Sequence, residues 1–370
     1  MALIELKGIY NIAKVFTDTV EKSTLAQIEH LLDQPFVTGS KIRVMPDAHA
    51  GMGCTIGTTM TISNKVVPNL VGVDIGCGME TVLLSDKRIE LGQLDKAIHQ
   101  YIPSGFKTRQ MPHHYNEHIN LDELRCAKHV DLKRAVLSIG TLGGGNHFIE
   151  LGADEEEQLY LVVHSGSRNL GKQVCEHYQN TAARALGIKG KGAEKALAYL
   201  EGQPLEDYLH DMALVQRYAD INRKAIVKEL EKRMKFKIAE QFTTVHNYID
   251  LDSMILRKGA ISARAGERVL IPMNMRDGSL ICLGKGNEDW NYSAPHGAGR
   301  IMSRTAAKGA ITLTQFQKSM QGIYSSTVNK STIDEAPFAY KPMKEILTHI
   351  SDTAHVIKTI KPLYNFKAAE

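Results

Sequence analysis

Residues 41–63 read KIRVMPDAHAGMGCTIGTTMTIS, and residues 69–84 read NLVGVDIGCGMETVLL. Both stretches are short apolar runs broken by glycines. Such runs predict buried strands joined by tight turns, where glycine permits a positive φ or a close backbone approach. The runs also carry chemistry at their ends: Asp47 and His49 in PDAHAG, Asp74 and Cys77 in VGVDIGCGM. Strand ends and the loops beyond them are where a rigid scaffold presents functional groups.

The same texture returns further along. NHFIEL and QLYLVVHS, separated by acidic GADEEE, predict a hairpin within 145–165. Beyond residue 255, RVLIPMNMRDGSLICLGKG predicts strands, and SAPHGAGRIMSRTAAKGA predicts a loop entering a helix. Residues 3–16 alternate enough for a strand or the start of a hairpin. Helices interrupt this pattern. Leu25, Ile28, Leu31 and Leu32 have helical spacing within 24–34. A second helix is expected near 90–101, followed by a polar loop around His113, His114 and His118. A long helix is expected over about 205–238, where apolar residues recur at three- and four-residue steps. Its second half is basic, with Arg223, Lys224, Lys228, Lys232 and Arg233. That half reads as a solvated face, or, with the Lys-rich loop 188–195, as a track for an RNA backbone. Residues 341–359 predict a last helix before Lys361 and Pro362. No Pro/Ser-rich linker divides the chain. The expectation is one compact α+β domain over 1–370, with a glycine-rich β core flanked by helices.

Composition excludes several classes. Of 370 residues 43% are apolar, enough to bury a sizeable core. The net charge of +4 permits nucleic acid as a partner without requiring it. Five widely spaced cysteines with no CxxC argue against a disulfide framework or a zinc finger, and for a reducing compartment. No apolar run is long enough to span a bilayer, and the N-terminus lacks a basic stretch before an apolar one. A cytoplasmic protein with no membrane partner is expected.

Several more polar residues end apolar strands or enter glycine turns: His147 in GGGNHFIE, His164 in VVHSGSRNLG, His246 in TVHNYID and His296 in SAPHGAGR. A carboxylate, a thiolate and imidazoles of this kind suit a two-metal site with a bridging ligand. Taken singly, each has a plainer reading: a hydrogen-bonded histidine at a strand end, or a small buried cysteine. Arg168, Arg300 and Arg304 lie beside glycines whose N–H groups can cradle phosphate. If HGAGRIMSR enters a helix, Arg300 and Arg304 share one face. Ordinary surface ion pairs are the alternative.

Read in order, PDAHAGMGCTIG, VGVDIGCGM, GTLGGGNHFIEL, VVHSGSRNLG, VHNY, SAPHGAGRIMSR, DEAPFAYK and KPLYNFK closely resemble the blocks of the RtcB family of RNA ligases. The resemblance runs from residue 46 to 367. It implies two Mn²⁺ ions: one on Cys77, His147 and His164, the other on Cys77, Asp74 and His246. It implies that His296 attacks GTP to carry GMP, with Asp47 orienting its ring. Asn146, Glu150, Ser279, Gly297, Tyr340 and Lys367 would form the guanine-nucleotide pocket, and Arg168, Arg300 and Arg304 would meet RNA phosphates. The implied partners are GTP and RNA bearing a 3′-phosphate or 2′,3′-cyclic phosphate and a 5′-hydroxyl. The family reading leaves room for an activating partner protein and expects a monomer. Manganese comes from the resemblance alone, since thiolate and imidazole ligands by themselves favour zinc.

The sequence departs from the family pattern at PDAHAG, at Pro295 before His296, and at NMRDGS before Ser279. These departures leave the ligand set intact and bear on the RNA substrate, a damaged tRNA or rRNA being one reading. Two other classes compete. A two-metal phosphoesterase would share the ligands but needs neither His296 nor Lys367. A catalytically silent RNA-binding protein needs only the basic surface.

Overall fold

In the computed structural model, residues 4–51, 53–190 and 192–368 are described. The first quoted stretch supplies two strands, Ile42–His49 and Ile56–Thr61, at the middle of a six-stranded sheet. Its order is Ile4–Lys7, Ile12–Val15, Ile42–His49, Ile56–Thr61, Ile255–Lys258, Asn247–Asp250. One neighbouring pair, Ile12–Val15 with Ile42–His49, is parallel. A parallel pair needs a crossover, and the helix Lys22–Leu32 supplies it, burying Ile28, Leu31 and Leu32.

The second stretch supplies Gly78–Leu84, inside a seven-stranded antiparallel sheet. Its order is Arg268–Asn274, Gly278–Gly284, Ala354–Lys367, Phe148–Ala153, Leu159–Ser165, Gly78–Leu84, Ile238–Val245. A two-stranded ladder, Ala260–Ser262 with Ser293–Pro295, lies apart from both sheets.

The helix Gln203–Met234 has Pro204 in its first turn and ends at Lys235 in the left-handed conformation. It buries Tyr208, Met212, Val215, Tyr218, Ile226 and Leu230. Each such side chain contributes about 1.5–3 kcal/mol of apolar burial. That stripe, not intrinsic propensity, holds 32 residues helical against the sheet. Among the described residues no helix is long and apolar enough to cross a membrane.

The helix-and-sheet architecture agrees with the α+β expectation. Two local expectations fail. The helix expected over 341–359 stops at Ile350, and Ala354–Lys367 is a 14-residue strand. Its Val356, Ile357, Thr359, Ile360, Tyr364 and Phe366 are β-branched or aromatic and favour a pleated surface. Arg223 is not part of a solvated basic face: it is fully buried. The Lys-rich loop 188–195 includes residue 191, which lies outside the described residues.

Candidate active site

Strand register assembles the site. Gly78 lies opposite both Ser165 and Val245, Met79 opposite His164, and Phe148 opposite both His164 and Lys367. Cys77 directly precedes Gly78, His246 directly follows Val245, and His147 directly precedes Phe148. Five neighbouring strands therefore deliver Cys77, His147, His164, His246 and Lys367 to one end of the sheet.

Their ligand atoms form two groups that share Cys77. Cys77, His164 and His246 lie within 4.8 Å of one another, as do Asp74, Cys77 and His147. Cys77 Sγ is 3.3 Å from His164 Nε2 and 3.4 Å from His147 Nε2. Asp74 Oδ2 meets His147 Nε2 at 3.0 Å, and its Oδ1 accepts from Ser167 N at 2.8 Å. Gly166 is required here, because a Cβ would sit 2.3 Å from the Asp74 carboxylate. All five residues come together, but His147 and His246 sort differently from the partition the resemblance implies.

The donor chemistry fits divalent metal ions. Burial lowers the pKa of His147, His164 and His246, keeping the imidazoles neutral and able to ligate. His246 Nδ1 is buried without a hydrogen-bond partner. His147 and His164 are oriented through Nδ1 by the carbonyls of Leu142 and Asn146, at 2.8 and 3.2 Å. Burial, and then the Asp74 charge, push the Cys77 thiol well up. Its thiolate therefore needs a cation to form, and ligation would release its proton.

His296 stands beside this cluster, its ring centroid 4.9 Å from that of His246. Asp47 Oδ2 accepts from His296 Nδ1 at 2.6 Å, from His296 N at 3.0 Å and from Gly297 N at 3.2 Å. A carboxylate only accepts, so Nδ1 is the donor to Asp47, and the neutral tautomer this selects has its lone pair on Nε2. Asp47 is fully buried. Gly299, at φ +75°, lets the loop pass: a Cβ there would lie 2.4 Å from Asp47 O.

A cavity of about 530 Å³ opens over His164, His246 and His296. Asn146, Glu150, Gly297, Arg300, Arg304, Tyr340 and Lys367 also line it. Ser279 is buried and is not among its lining residues. Burial raises Glu150 to about 7, against the pull of Asn365, Lys367 and Ser279.

Arg300 and Arg304 do not share a helix face, because the helix begins at Arg304. They converge instead on a residue that pattern reading missed. Buried Glu335 pairs with Lys367 at 2.7 Å, Arg304 at 3.0 Å and Arg300 at 3.2 Å, and accepts from Tyr340 Oη at 2.6 Å. Burial alone would raise this carboxyl, but the charges of Lys367, Arg304 and Arg300 hold it at about 2. A depressed carboxyl contributes stability above its ordinary value of 4.5, and that contribution is lost as the pH falls towards 2. Glu335→Gln is expected to cost about 3–5 kcal/mol, because buried cations lose their counter-charge. It should also flatten the acid limb of stability over that window. Urea unfolding at several pH values checks this, and an unchanged midpoint at neutral pH would refute it.

The long helix braces the ligand turns. Arg223 Nη1 donates to Gly76 O at 2.7 Å and Ser165 O at 3.0 Å, behind Cys77 and His164. Asn222 Oδ1 accepts from Gly140 N and Thr141 N, and its Nδ2 donates to Gly166 O. Asn222 falls on the helix's apolar stripe between Val215 and Ile226, a legible signal that it is buried. Arg168, at φ 57°, places Nη1 3.2 Å from His147 Nδ1.

The family model of the tRNA-splicing ligase RtcB matches residues 27–131 and 113–368. The chain belongs to the RtcB family. Among curated relatives, an "RNA-splicing ligase RtcB" of Escherichia coli K12 is 31% identical over 92% of this chain and 93% of its own length. Its counterpart "RtcB1" in another E. coli strain matches equally well. A "tRNA-splicing ligase RtcB" of Aeropyrum pernix is 27% identical over 86% of each chain. The RtcB resemblance read from the sequence blocks is thus the correct family. Glu335 lies within one of those blocks, DEAPFAYK, yet its acidity gave no hint that three cations surround it.

Proposed function

We propose that this chain is a GTP- and Mn²⁺-dependent RNA ligase, joining 3′-phosphate or 2′,3′-cyclic phosphate ends to 5′-hydroxyl ends. The observation that carries this reading is the His296–Asp47 pair set against two ligand groups that share Cys77. The Asp47-oriented ring offers a nucleophilic Nε2 to the cavity beside the ligand groups, a group that metal-activated water does not need for hydrolysis.

His296 Nε2 attacks the α-phosphorus of GTP: an N–P bond forms, the bond to pyrophosphate breaks, and Asp47 balances the positive ring. GMP then passes to the RNA 3′-phosphate, breaking the N–P bond and forming a P–O–P link. The 5′-hydroxyl attacks the RNA phosphorus, and GMP leaves. Two Mn²⁺ held by Asp74, Cys77, His147, His164 and His246 would neutralise charge on the phosphates and supply the activated water that opens a cyclic end. Asn146, Glu150, Tyr340 and Lys367 line the space for the nucleotide, Ser279 lying behind them. A carboxylate such as Glu150 matches the adjacent N–H donors of guanine. Arg168, Arg300 and Arg304 supply charge for RNA phosphates.

The test is incubation with Mn²⁺ and GTP labelled at either the α- or the γ-phosphate. Covalent, acid-labile and alkali-stable label from the α position alone is expected. No label, with phosphate release from RNA ends intact, would instead make the protein a two-metal phosphoesterase.

A further inference from the structure

The turn that carries His147 is bound on its outer side by a loop the chemistry does not use. After the helix Leu91–Tyr101 the chain crosses to that turn: Gly105 N donates to Gly143 O at 2.8 Å, and Ser104 bridges to Gly143. Gly143 is where the Arg168 guanidinium lies, for a Cβ there would stand 1.9 Å from it. The loop is therefore one backbone hydrogen bond away from the turn that presents His147 and packs against the Arg168 guanidinium.

At its tip is Phe106, 85% exposed, the most exposed large apolar side chain among the described residues. Its backbone is pinned. Phe106 O accepts from Arg134 Nη2 at 2.9 Å, and Arg109 N donates to Leu137 O at 2.9 Å. A ring held in water by a fixed backbone adds little to folding. Its neighbours are basic: Lys107 is exposed, Arg134 reaches the loop, and residues 102–116 contain no Asp or Glu. Glu229 reaches the loop at Arg109, 3.6 Å away, which leaves Lys107 and Arg134 as the cations beside Phe106. An exposed aromatic beside such cations is the pattern that holds single-stranded nucleic acid, the ring stacking on a base and the cations meeting phosphates.

We propose that loop 104–111 is a docking platform for single-stranded RNA beside the end being joined, with Phe106 stacking on a base and Lys107 meeting the backbone. This rests on the RNA-ligase reading and adds to it where the strand outside the cavity runs.

The test uses the full chain with Mn²⁺ and a short single-stranded RNA ending in a 3′-phosphate. Binding is followed by fluorescence anisotropy, self-guanylylation and ligation separately. Phe106→Ala should weaken RNA binding and raise the RNA KM about 5- to 100-fold, as loss of one stacked base does. Guanylylation and kcat should stay within about twofold, and Phe106→Trp should restore binding. Unchanged RNA affinity in Phe106→Ala would overturn the proposal. So would full rescue by Phe106→Leu, which would show that RNA binding there needs no aromatic stacking. Failure of the wild type to take label would refute the ligase reading, while the anisotropy arm would still decide the role of Phe106.

Discussion

His296→Ala is expected to take up no GMP at all, and Asp47→Asn to take it up about a hundredfold more slowly or worse. The two losses have different causes. Alanine removes the nucleophile, and His246, the nearest imidazole, is buried among metal ligands and cannot replace it. Asparagine can still receive the three donors that meet at Asp47 Oδ2, so the ring stays in place. What it lacks is charge. As Nε2 attacks, the ring becomes positive in a buried setting, where a fixed carboxylate counts for far more than it would in water. Single-turnover labelling with α-labelled GTP measures both. Acid-labile label on His296→Ala would remove His296 from its role, and a near-wild-type rate for Asp47→Asn would remove the Asp47 charge from its own.

Cys77→Ser is expected to lose both metal positions together, and with them activity by on the order of 10³-fold or more. The reason is topological: Cys77 belongs to both ligand groups, whereas each other ligand belongs to one. A serine hydroxyl does not ionise at neutral pH as a metal-bound thiol does, and it is a poor ligand for these ions. Equilibrium dialysis should find two Mn²⁺ per wild-type chain and less than one in the variant. With Co²⁺ as the probe, the thiolate charge-transfer absorption should vanish. Two ions retained by Cys77→Ser would show that the thiolate is not shared. A variant of His147 or His246 should lose one position and keep the other.

Much of this site was legible because its residues end apolar strands or enter glycine turns. Asp47, Asp74, Cys77, His147, His164, His246 and His296 each carry that mark, and the fold brings them within one cluster. Glu335 carries no such mark. It ends an irregular 3₁₀ segment, Lys330–Glu335, and nothing local reveals the cations that reach it from distant elements. Arg223 was misread because charge on a helix usually faces water; only the neighbouring Asn222, on the apolar stripe, hinted otherwise. The final strand was hidden by period. Ile346, Ile350, Ala354 and Ile357 continue a helical spacing, and only tertiary pairing with Gly278–Gly284 and Phe148–Ala153 decides for a strand.

That strand has a bearing on how the protein is made. Ala354–Lys367 lies in the interior of the seven-stranded sheet and joins a two-stranded piece to a four-stranded one. On the ribosome both pieces emerge long before the segment that unites them. Until it arrives, Gly278–Gly284 and Phe148–Ala153 each present an open edge able to pair with the wrong neighbour. Because Lys367 joins the lining of the cavity in the same event, a nascent chain stalled before this segment is both prone to self-association and left with an incomplete site.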